Sequence, residues 1–249
     1  MRISVIVCAY NEAEWLPGCL ESLCRQTRPA DEIIVVNNAS TDATRDVAAQ
    51  YSGVLFVDEP RKGLVLARRA GYLAASGDVL VYTDADCRAP DQWLARVAEA
   101  FGSAETAVAG NGTVAVTGPY RFYDWDLYGR LLIRIYDVLV APATHVLAQR
   151  VLRMGAVLYG GNFAVRREAL ERIGGFDTSI EFHGEDTNLG RRLSKIGHVR
   201  LVPRCHVSTS ARRYRALGRT AVFRLYVRNF CSELIRHRPS DTTHTDIRI

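Results

Sequence analysis

Residues 3–12, ISVIVCAYNE, run through seven apolar or small residues and then become polar at Tyr10. Most of the apolar residues are β-branched, and no basic stretch with an apolar core precedes them, so the sequence predicts a strand rather than a signal peptide. Similar runs recur at 32–37, 54–58 and 79–83. Four strands are therefore predicted in the first hundred residues.

Segments of helical spacing, 15–25 and 41–52, separate the first three strands, and residues 38–42 offer N-cap side chains for the second helix. This alternation predicts a parallel sheet covered by helices. In such sheets ligands bind beyond the carboxyl ends of the strands. Three predicted strands end there in polar residues, namely Tyr10 and Asn11, Asn37 and Asn38, and Asp84 and Asp86.

The second half of the chain continues this mixed pattern. Residues 158–165 are typical of a strand, and 167–173 and 186–196 of helices. Between 124 and 148 apolar residues recur at helical intervals, which favours a helix packed on the core over one that lies on a membrane surface. The apolar positions are Leu127, Leu131, Leu132, Ile135, Val138 and Leu139.

The composition indicates one globular domain, predicted over residues 1–210, with a basic helical extension and a polar tail over 211–249. The chain has 249 residues, 48% of them hydrophobic, and its six cysteines show neither zinc-site nor disulfide spacing. No run approaches the roughly 20 apolar residues that span a bilayer. We therefore expect a cytoplasmic protein.

Positive charge is concentrated at the C-terminal end. From Arg191 onward the net charge is +11, although the whole chain carries +5. This segment is suited to an anionic lipid surface at the inner face of the membrane, an anionic acceptor or a nucleotide diphosphate. The alternative is a solvated arginine-rich helix.

Several function classes lack their sequence signals. Neither a dinucleotide-binding G-x-G-x-x-G after the first strand nor a P-loop is present. Residues 9–14, AYNEAE, contain no glycine or arginine to hold the triphosphate of a nucleotidyltransferase substrate. The basic end lacks a recognised nucleic-acid motif, and no nucleic-acid partner is expected.

Asp84 and Asp86 follow the fourth predicted strand, and the strand period of two directs both to one side. Paired carboxylates favour Mg²⁺ or Mn²⁺, which bind carboxylate and phosphate oxygens. A strand-end Asp also forms Asx-turns, which is the structural alternative.

The order and spacing of several motifs resemble the family 2 glycosyltransferases over roughly residues 3–203. The motifs are SVIVCAYNE at 4–12, EIIVVNNASTD at 32–42, KG at 62–63, ARRAG at 67–71, ASGD at 75–78, TDAD at 83–86, GGNF at 160–163, GGFD at 174–177 and EDTNL at 185–189. The resemblance implies an α/β GT-A fold, with a Rossmann-like nucleotide-binding half, a mixed central sheet and an acceptor-side second half. It also implies a nucleotide-diphospho-sugar donor and inversion at the anomeric carbon.

The resemblance also implies donor-binding roles. Tyr10 would lie against the base, Asn37 would hydrogen-bond it, and Arg68 would approach the base or the diphosphate. Asn37 departs from the family, which more often has Asp there, so the nucleotide is left open between UDP and GDP. The Asp-x-Asp motif would meet the ribose and the metal. The implied donor-side set is Tyr10, Asn11, Glu12, Asn37, Arg68, Asp84, Ala85 and Asp86, with Asp84 and Asp86 as ligands of Mn²⁺ or Mg²⁺.

By the same resemblance Asp186 is the general base and Glu185 its neighbour. The alternative is a pair of acids at a helix N-terminus. Arg191 and Arg192 are candidates to hold the leaving diphosphate, as are Arg212 and Arg213, and His183 or His206 is a candidate third metal ligand.

These observations lead to one functional hypothesis and one alternative. The hypothesis is a metal-dependent inverting transfer of a sugar from a UDP- or GDP-sugar to a hydroxyl of a lipid, a glycan or a small molecule. The absence of Q-x-x-R-W favours transfer of single sugars. The alternative is a non-catalytic module of the same fold that binds a sugar nucleotide or a glycan.

Overall fold

The computed structural model describes residues 1–102, 112–147, 158–180, 182–236 and 240. Nine strands are assigned within these ranges: β1 Ile3–Ala9, β2 Glu32–Asn37, β3 Val54–Asp58, β4 Val79–Asp84, β5 Thr113–Thr117, β6 Tyr120–Phe122, β7 Asn162–Arg166, β8 His198–Leu201 and β9 Val207–Thr209.

The same ranges contain ten α-helices: α1 Leu16–Cys24, α2 Thr44–Ala49, α3 Leu64–Ala74, α4 Trp93–Phe101, α5 Leu127–Ile135, α6 Ala141–Val146, α7 Arg167–Arg172, α8 Glu185–Ser194, α9 Arg212–Leu217 and α10 Arg219–Arg236. A π-helical turn, Tyr136–Val140, joins α5 to α6.

Seven strands form a mixed central sheet in the order β3-β2-β1-β4-β7-β5-β8. The strands β1 to β4 pair in parallel, whereas β7 runs antiparallel to both of its neighbours, β4 and β5. A small parallel sheet pairs β6 with β9. The predicted α/β architecture with a mixed sheet is confirmed.

Alternate residues of β1 build two cores, one on each face of the sheet. Ile3, Val5 and Val7 pack into the cluster that contains α1 and α4. Ile6 belongs to the other cluster, with α3, α7 and α8. Helices on both faces explain why the strands are continuous apolar runs, since neither face meets water.

The bounds of β1, β2 and β3 agree with the sequence prediction, and β4 extends one residue further, to Asp84. The second helix begins at Thr44, not at 41 as predicted. The reason is that the backbone N–H of Thr41 donates to Asn11 Oδ1 at 2.8 Å and so fixes this loop against the end of β1. Asp42 then accepts from the backbone N–H of Thr44 at 3.0 Å.

In the second half, β7 begins at Asn162, later than the predicted 158. The side chain of Asn162 is buried and connects separate loops. Its Nδ2 donates to the carbonyls of Gly118 at 2.9 Å and Cys205 at 2.8 Å, and its Oδ1 accepts from Trp93 Nε1 at 3.1 Å. Trp93 is therefore a core residue.

The predicted core packing of the helix at 124–148 is wrong. Residue 148 lies outside the described ranges, and α5, the π-helical turn and α6 occupy 127–146. All six apolar positions are exposed, from Leu132 at 43% to Leu127 at 83%. The buried side of these helices consists of Gly129, Ala141 and His145 instead. Gly129 abuts Trp125, where a Cβ would lie 2.6 Å from the indole ring.

Gly71 fixes how closely α3 approaches the sheet. A Cβ at this position would lie 2.4 Å from Cγ2 of Ile6, which is fully buried in β1. We expect Gly71→Val to lower the free energy of unfolding by about 1–3 kcal/mol, because an overpacked core must shift. Urea denaturation would measure the loss.

The control for Gly71→Val is Leu73→Ala on the same helix, because Leu73 is 61% exposed. Its stability should stay within about 0.5 kcal/mol of the wild type. Equal stability of the two variants would contradict the close packing of α3 on β1.

Candidate active site

A cavity of about 1850 Å³ lies at the carboxyl ends of β1 and β4. The cavity wall includes the last residues of these strands, Ala9 and Asp84, and the first residues of α8, Glu185 and Asp186. Helices α5 and α10 contribute an apolar part of the wall. The strand ends that the sequence marked as polar therefore meet at one cavity.

Asp84 and Asp86 stand together in this wall. Their carboxylate oxygens and Sγ of Cys87 lie within 4.8 Å of one another. Burial raises the pKa of the Cys87 thiol well above its usual range, so the sulfur stays protonated and the hard oxygen donors are the two carboxylates. Gly161 packs against Asp84, since a Cβ there would lie 2.1 Å from Asp84 Oδ2.

Arg212, at the start of α9, supplies a positive charge to this cluster from a distant part of the chain. Its Nε lies 3.1 Å from Asp86 Oδ2, and its Nη2 donates to Glu12 Oε1 at 2.5 Å. Asp86 also accepts from Thr209 Oγ1 at 3.2 Å. Burial raises the pKa of Asp86 to about 6, and the guanidinium of Arg212 opposes that rise.

A second buried ion pair lines the same cavity. Arg68, 2% exposed, contacts Glu185 Oε1 through Nη1 and donates from Nη2 to the carbonyl of Gly160 at 2.6 Å. Burial disfavours the charge of Arg68, but Glu185 and Asp84 outweigh it and raise the pKa of the guanidinium. Arg68 thus links α3, α8 and the loop before β7.

Asp186 differs from Glu185 in its surroundings. Glu185 is buried and paired with Arg68, and burial raises its pKa to about 8. Asp186 is half-buried, and its Oδ1 accepts from the backbone N–H of Thr187 at 2.7 Å. Burial raises the pKa of Asp186, and Arg68 opposes the rise. Both acids occupy the first turn of α8, where negative charge stabilises a helix N-terminus, and both line the cavity.

Tyr10 and Asn11 form the turn that follows β1. Lys62 donates to the Tyr10 hydroxyl at 2.9 Å, and its Nζ lies 4.0 Å from the ring centroid. Asn11 has a φ of 50°, in the left-handed region that Asn tolerates better than most residues. Its side chain accepts from the loop that precedes α2. Tyr10 lines the cavity, whereas Asn11 shapes the turn.

Asn37, the predicted base-reading residue, is already hydrogen-bonded at both ends of its amide. Nδ2 donates to Asp58 Oδ1 at 2.8 Å, and Oδ1 accepts from the backbone N–H of Ser40 at 3.2 Å. The neighbouring Asn38 lines the cavity instead. Each of these atoms retains a second hydrogen-bonding position, and the base-reading role of Asn37 stays a prediction.

The structure does not bring Arg191 and Arg192 to the cavity. They lie six and seven residues after Glu185 on α8, about 9 and 10.5 Å along the axis at about 1.5 Å per residue. Arg192 Nη2 donates to the carbonyl of Ile173. The predicted contact with a diphosphate therefore has no geometric support, whereas Arg212 and Arg213 do line the cavity.

The two candidate histidines are separated. His183 is buried and lines the cavity beside α8. His206 does not line it, and burial lowers the pKa of its ring, with Arg121 and Arg96 adding to the effect. Neither joins the acidic cluster around Asp84 within the described residues.

Two cavity residues had no role assigned from sequence. Lys62 belongs to the KG motif at 62–63. Its position just before α3 only weakly indicated that a cation would lie near the strand ends. Tyr120, in β6, accepts from the backbone N–H of Gly161 at 2.5 Å. Nothing in the sequence near Tyr120 indicates this contact.

Comparison with known proteins identifies the family. The family model described as "Glycosyl transferase family 2" matches residues 4–174. The chain belongs to glycosyl transferase family 2. Its relatives include Glycosyltransferase AglE of Haloferax volcanii, 29% identical over 203 residues, which cover 79% of this chain and 62% of AglE. The chain therefore spans about three fifths of the length of AglE.

Solved structures agree with the GT-A fold of this family 2 chain. The mannosyltransferase PcManGT of Pyrobaculum calidifontis, in complex with GDP-Man and Mn²⁺, superposes with a TM-score of 0.67 at 23% identity, covering 95% of this chain and 63% of PcManGT. S. aureus TarS 1–349, in complex with UDP-GlcNAc, gives 0.62 at 17% identity, covering 84% of this chain and 58% of the other.

The acidic cluster of this family 2 chain is chemically suited to a divalent metal. Carboxylate oxygens are the ligands that Mg²⁺ and Mn²⁺ prefer, and Asp84 and Asp86 present them at the cavity wall. Arg212 already neutralises Asp86 in part. A bound cation at Asp86 would therefore share this carboxylate with the arginine or replace it there.

Arg212 can be tested as the internal counter-charge. Arg212→Gln leaves Glu12 and Asp86 without the cation that faces them. We expect it to lower the free energy of unfolding in EDTA by about 2 kcal/mol, below the range for fully buried pairs because Arg212 is partly exposed. Urea denaturation with EDTA, and again with MnCl₂, would measure the loss and its partial recovery.

The matched control is Arg215→Gln, from the same helix. Arg215 pairs with Asp124 at 2.8 Å but is 52% exposed, so its removal should cost less than about 1 kcal/mol. If the two variants unfold alike in EDTA, the Arg212 bridge does not hold the acidic cluster together.

Proposed function

We propose that this family 2 chain is a metal-dependent inverting glycosyltransferase that uses a nucleoside-diphosphate sugar. The acceptor is a hydroxyl on a lipid, a glycan or a small molecule, and the expected location is the cytoplasm. The observation that carries the proposal is the arrangement of acids in one cavity. Asp84 at the end of β4, Asp86 two residues later and Asp186 in α8 all line it, and Arg68 of α3 holds Glu185 of α8 beside them.

In the proposed reaction the acceptor oxygen attacks the anomeric carbon from the face opposite the diphosphate. The new carbon–oxygen bond forms as the bond to the diphosphate oxygen breaks, and the hydroxyl proton passes to Asp186. A general base contributes about 10² to 10⁴ in rate. Burial raises the pKa of Asp186, which makes its carboxylate a stronger proton acceptor than an exposed aspartate.

Glu185 is the positioning partner in this proposal. Its Oε1 is held by Arg68, while its buried Oε2 has no hydrogen-bond partner among the described residues. A buried oxygen without a hydrogen-bond partner costs free energy. A hydroxyl group of the sugar donor that hydrogen-bonds to Oε2 would therefore bind favourably. Glu185 is thus held in place by Arg68, whereas Asp186 is half-buried and is proposed to contact the acceptor hydroxyl.

The leaving diphosphate requires positive charge. Lys62, Arg212 and Arg213 line the cavity and are suited to stabilise it. A divalent metal held by Asp84 and Asp86 would act as a Lewis acid on the phosphate oxygens. Mn²⁺ or Mg²⁺ is proposed, and the complex of PcManGT with GDP-Man and Mn²⁺ supports a metal of this type.

The donor nucleotide is proposed to be UDP or GDP. PcManGT is described with GDP-Man and TarS with UDP-GlcNAc, so the fold accommodates both. Tyr10 lines the cavity at the end of β1, which supports its proposed contact with the base. Asn11, Glu12, Asn37 and Ala85 keep their proposed donor-side roles, Glu12 through its ion pair with Arg212.

Asp186→Asn separates catalysis from donor binding. The amide oxygen can still accept from Thr187, so the fold and the donor affinity should be retained, but the amide cannot take the acceptor proton. We expect turnover to fall by about 10² to 10⁴, measured as sugar release or transfer from the bound donor.

Asp91→Asn is the control for that substitution, since Asp91 is 63% exposed and its nearest cation, Arg25, lies 3.9 Å away. Wild-type turnover by Asp186→Asn would exclude it as the base. Donor binding without turnover in the unmodified protein would favour the non-catalytic module.

Calorimetric titration with UDP, GDP, dTDP and CDP, each with MnCl₂ and with EDTA, tests the donor site. We expect one nucleotide to bind in a metal-dependent manner, because carboxylates and a diphosphate repel each other without a cation between them. Asp86→Ala should lose this dependence, while Asp91→Asn should keep it. Equal affinity of the wild type in EDTA would contradict the metal proposal.

A further inference from the structure

Exposed large hydrophobic residues are concentrated in two segments of the described chain. Apart from Met1, Leu55 and Leu73, all of those in the described ranges lie in 127–147 or 223–227. Soluble proteins rarely leave so many together in water without a use. The exposed residues are Leu127, Tyr128, Leu131, Leu132, Ile135, Val138, Leu139, Val140, Val146 and Leu147 in the first segment, and Phe223, Tyr226 and Val227 in the second.

The first segment is oriented opposite to an ordinary amphipathic helix of a core. Its small and polar residues, Gly129, Ala141 and His145, face the protein, and His145 Nε2 lies 2.9 Å from the carbonyl oxygen of Val199 in β8. The large apolar residues, such as Leu127 and Val138, face outward. The segment is therefore anchored by one side and offers the other to a partner.

Contacts at the start of α10 join the second segment to the first. Arg219 forms an ion pair with Asp126, which caps α5, and its guanidinium lies 5.3 Å from the ring centroid of Trp125 and 5.9 Å from that of Tyr128. Helices α5 and α10 also line the same cavity. We call residues 127–147 and 219–228 together the apolar platform.

The charge of the platform is positive. Arg130, Arg134, Arg224 and Arg228 are exposed on its helices. Its first segment contains a single acidic residue, Asp137, whose Oδ1 accepts from the Tyr159 hydroxyl at 2.9 Å. Leucine and phenylalanine bordered by arginine is the composition of helices that lie in the interface of anionic membranes.

The acidic cluster and this platform line the same cavity. Its wall includes Asp84 and Asp186 as well as Leu132, Val140 and Phe223. A compound with a polar head and an apolar tail therefore finds both polar and apolar surface in this cavity. Among the described helices, none has the length and apolar content needed to cross a bilayer.

We propose that the apolar platform docks on the surface of an anionic lipid bilayer and opens the active-site cavity toward it. The apolar side chains enter the interface, and the bordering arginines contact lipid phosphates. A second copy of the chain fits less well, because pairing two platforms would bring exposed arginines of like charge together. Docking does not depend on the transfer reaction, whereas entry of the acceptor from the bilayer rests on the proposed function.

The test is flotation of the full chain with vesicles of phosphatidylcholine alone or of phosphatidylcholine mixed with phosphatidylglycerol. We expect binding to the mixed vesicles that weakens as salt screens the arginines. Leu127→Glu combined with Leu131→Glu should reduce it roughly tenfold or more, because two carboxylates would enter the apolar interface. Leu73→Glu, a leucine of comparable exposure on α3, is the matched control and should bind as the wild type does.

Nucleotide titration of every variant distinguishes failure of the docking proposal from failure of the proposed transferase function. Donor binding by the double variant, with loss of flotation, supports docking by the platform and shows that the variant is folded. Failure of the wild type to float, or equal flotation by the double variant, overturns the docking proposal even if the donor binds. Sedimentation velocity would show whether the wild type is a dimer and the double variant a monomer. That result would assign the platform to a second copy of the chain and overturn the docking proposal as well.

Discussion

The burial of several carboxylates at one edge of the sheet is the constraint on which this structure depends. Like charges in a poorly solvated cavity repel one another and lose hydration, so they require cations at short range. Two arginines provide them. Arg68 pairs with Glu185, and Arg212 bridges Glu12 and Asp86. The two guanidinium groups reach the acids from helices α3 and α9.

Local patterns predicted the strands of the N-terminal half well. Strands β1 to β4 are continuous apolar runs because helices cover both faces, and each run ends where the chain leaves the core. That same rule predicted that Tyr10, Asp84 and Asp86 lie near one another. Family resemblance added Glu185 and Asp186, which the structure brings to the same cavity. No spacing rule places the end of β4 and the start of α8 in one cavity, because that arrangement depends on tertiary contacts such as the one between Arg68 and Glu185.

Other features depend on tertiary contacts that the sequence does not encode locally. The outward face of residues 127–147 has the periodicity of a core helix, and only the burial of Gly129 and Ala141 reveals which side faces the protein. Arg191 and Arg192 are close to Asp186 in sequence, but the helical rise takes them away from the cavity. Arg212 is one of many arginines in a basic segment, and its neighbours do not distinguish it.

The bridge between Arg212 and Glu12 spans 200 residues of sequence. Protein synthesis proceeds from the N-terminus, so a growing chain contains Glu12, Asp84 and Asp86 long before their guanidinium partner exists. The N-terminal half of the chain is thus electrostatically incomplete while it emerges from the ribosome. A chain that ends before α9 would contain all three acids but lack the cation that pairs with Glu12 and Asp86. Such a truncation would remove part of the charge balance of the site rather than a dispensable extension.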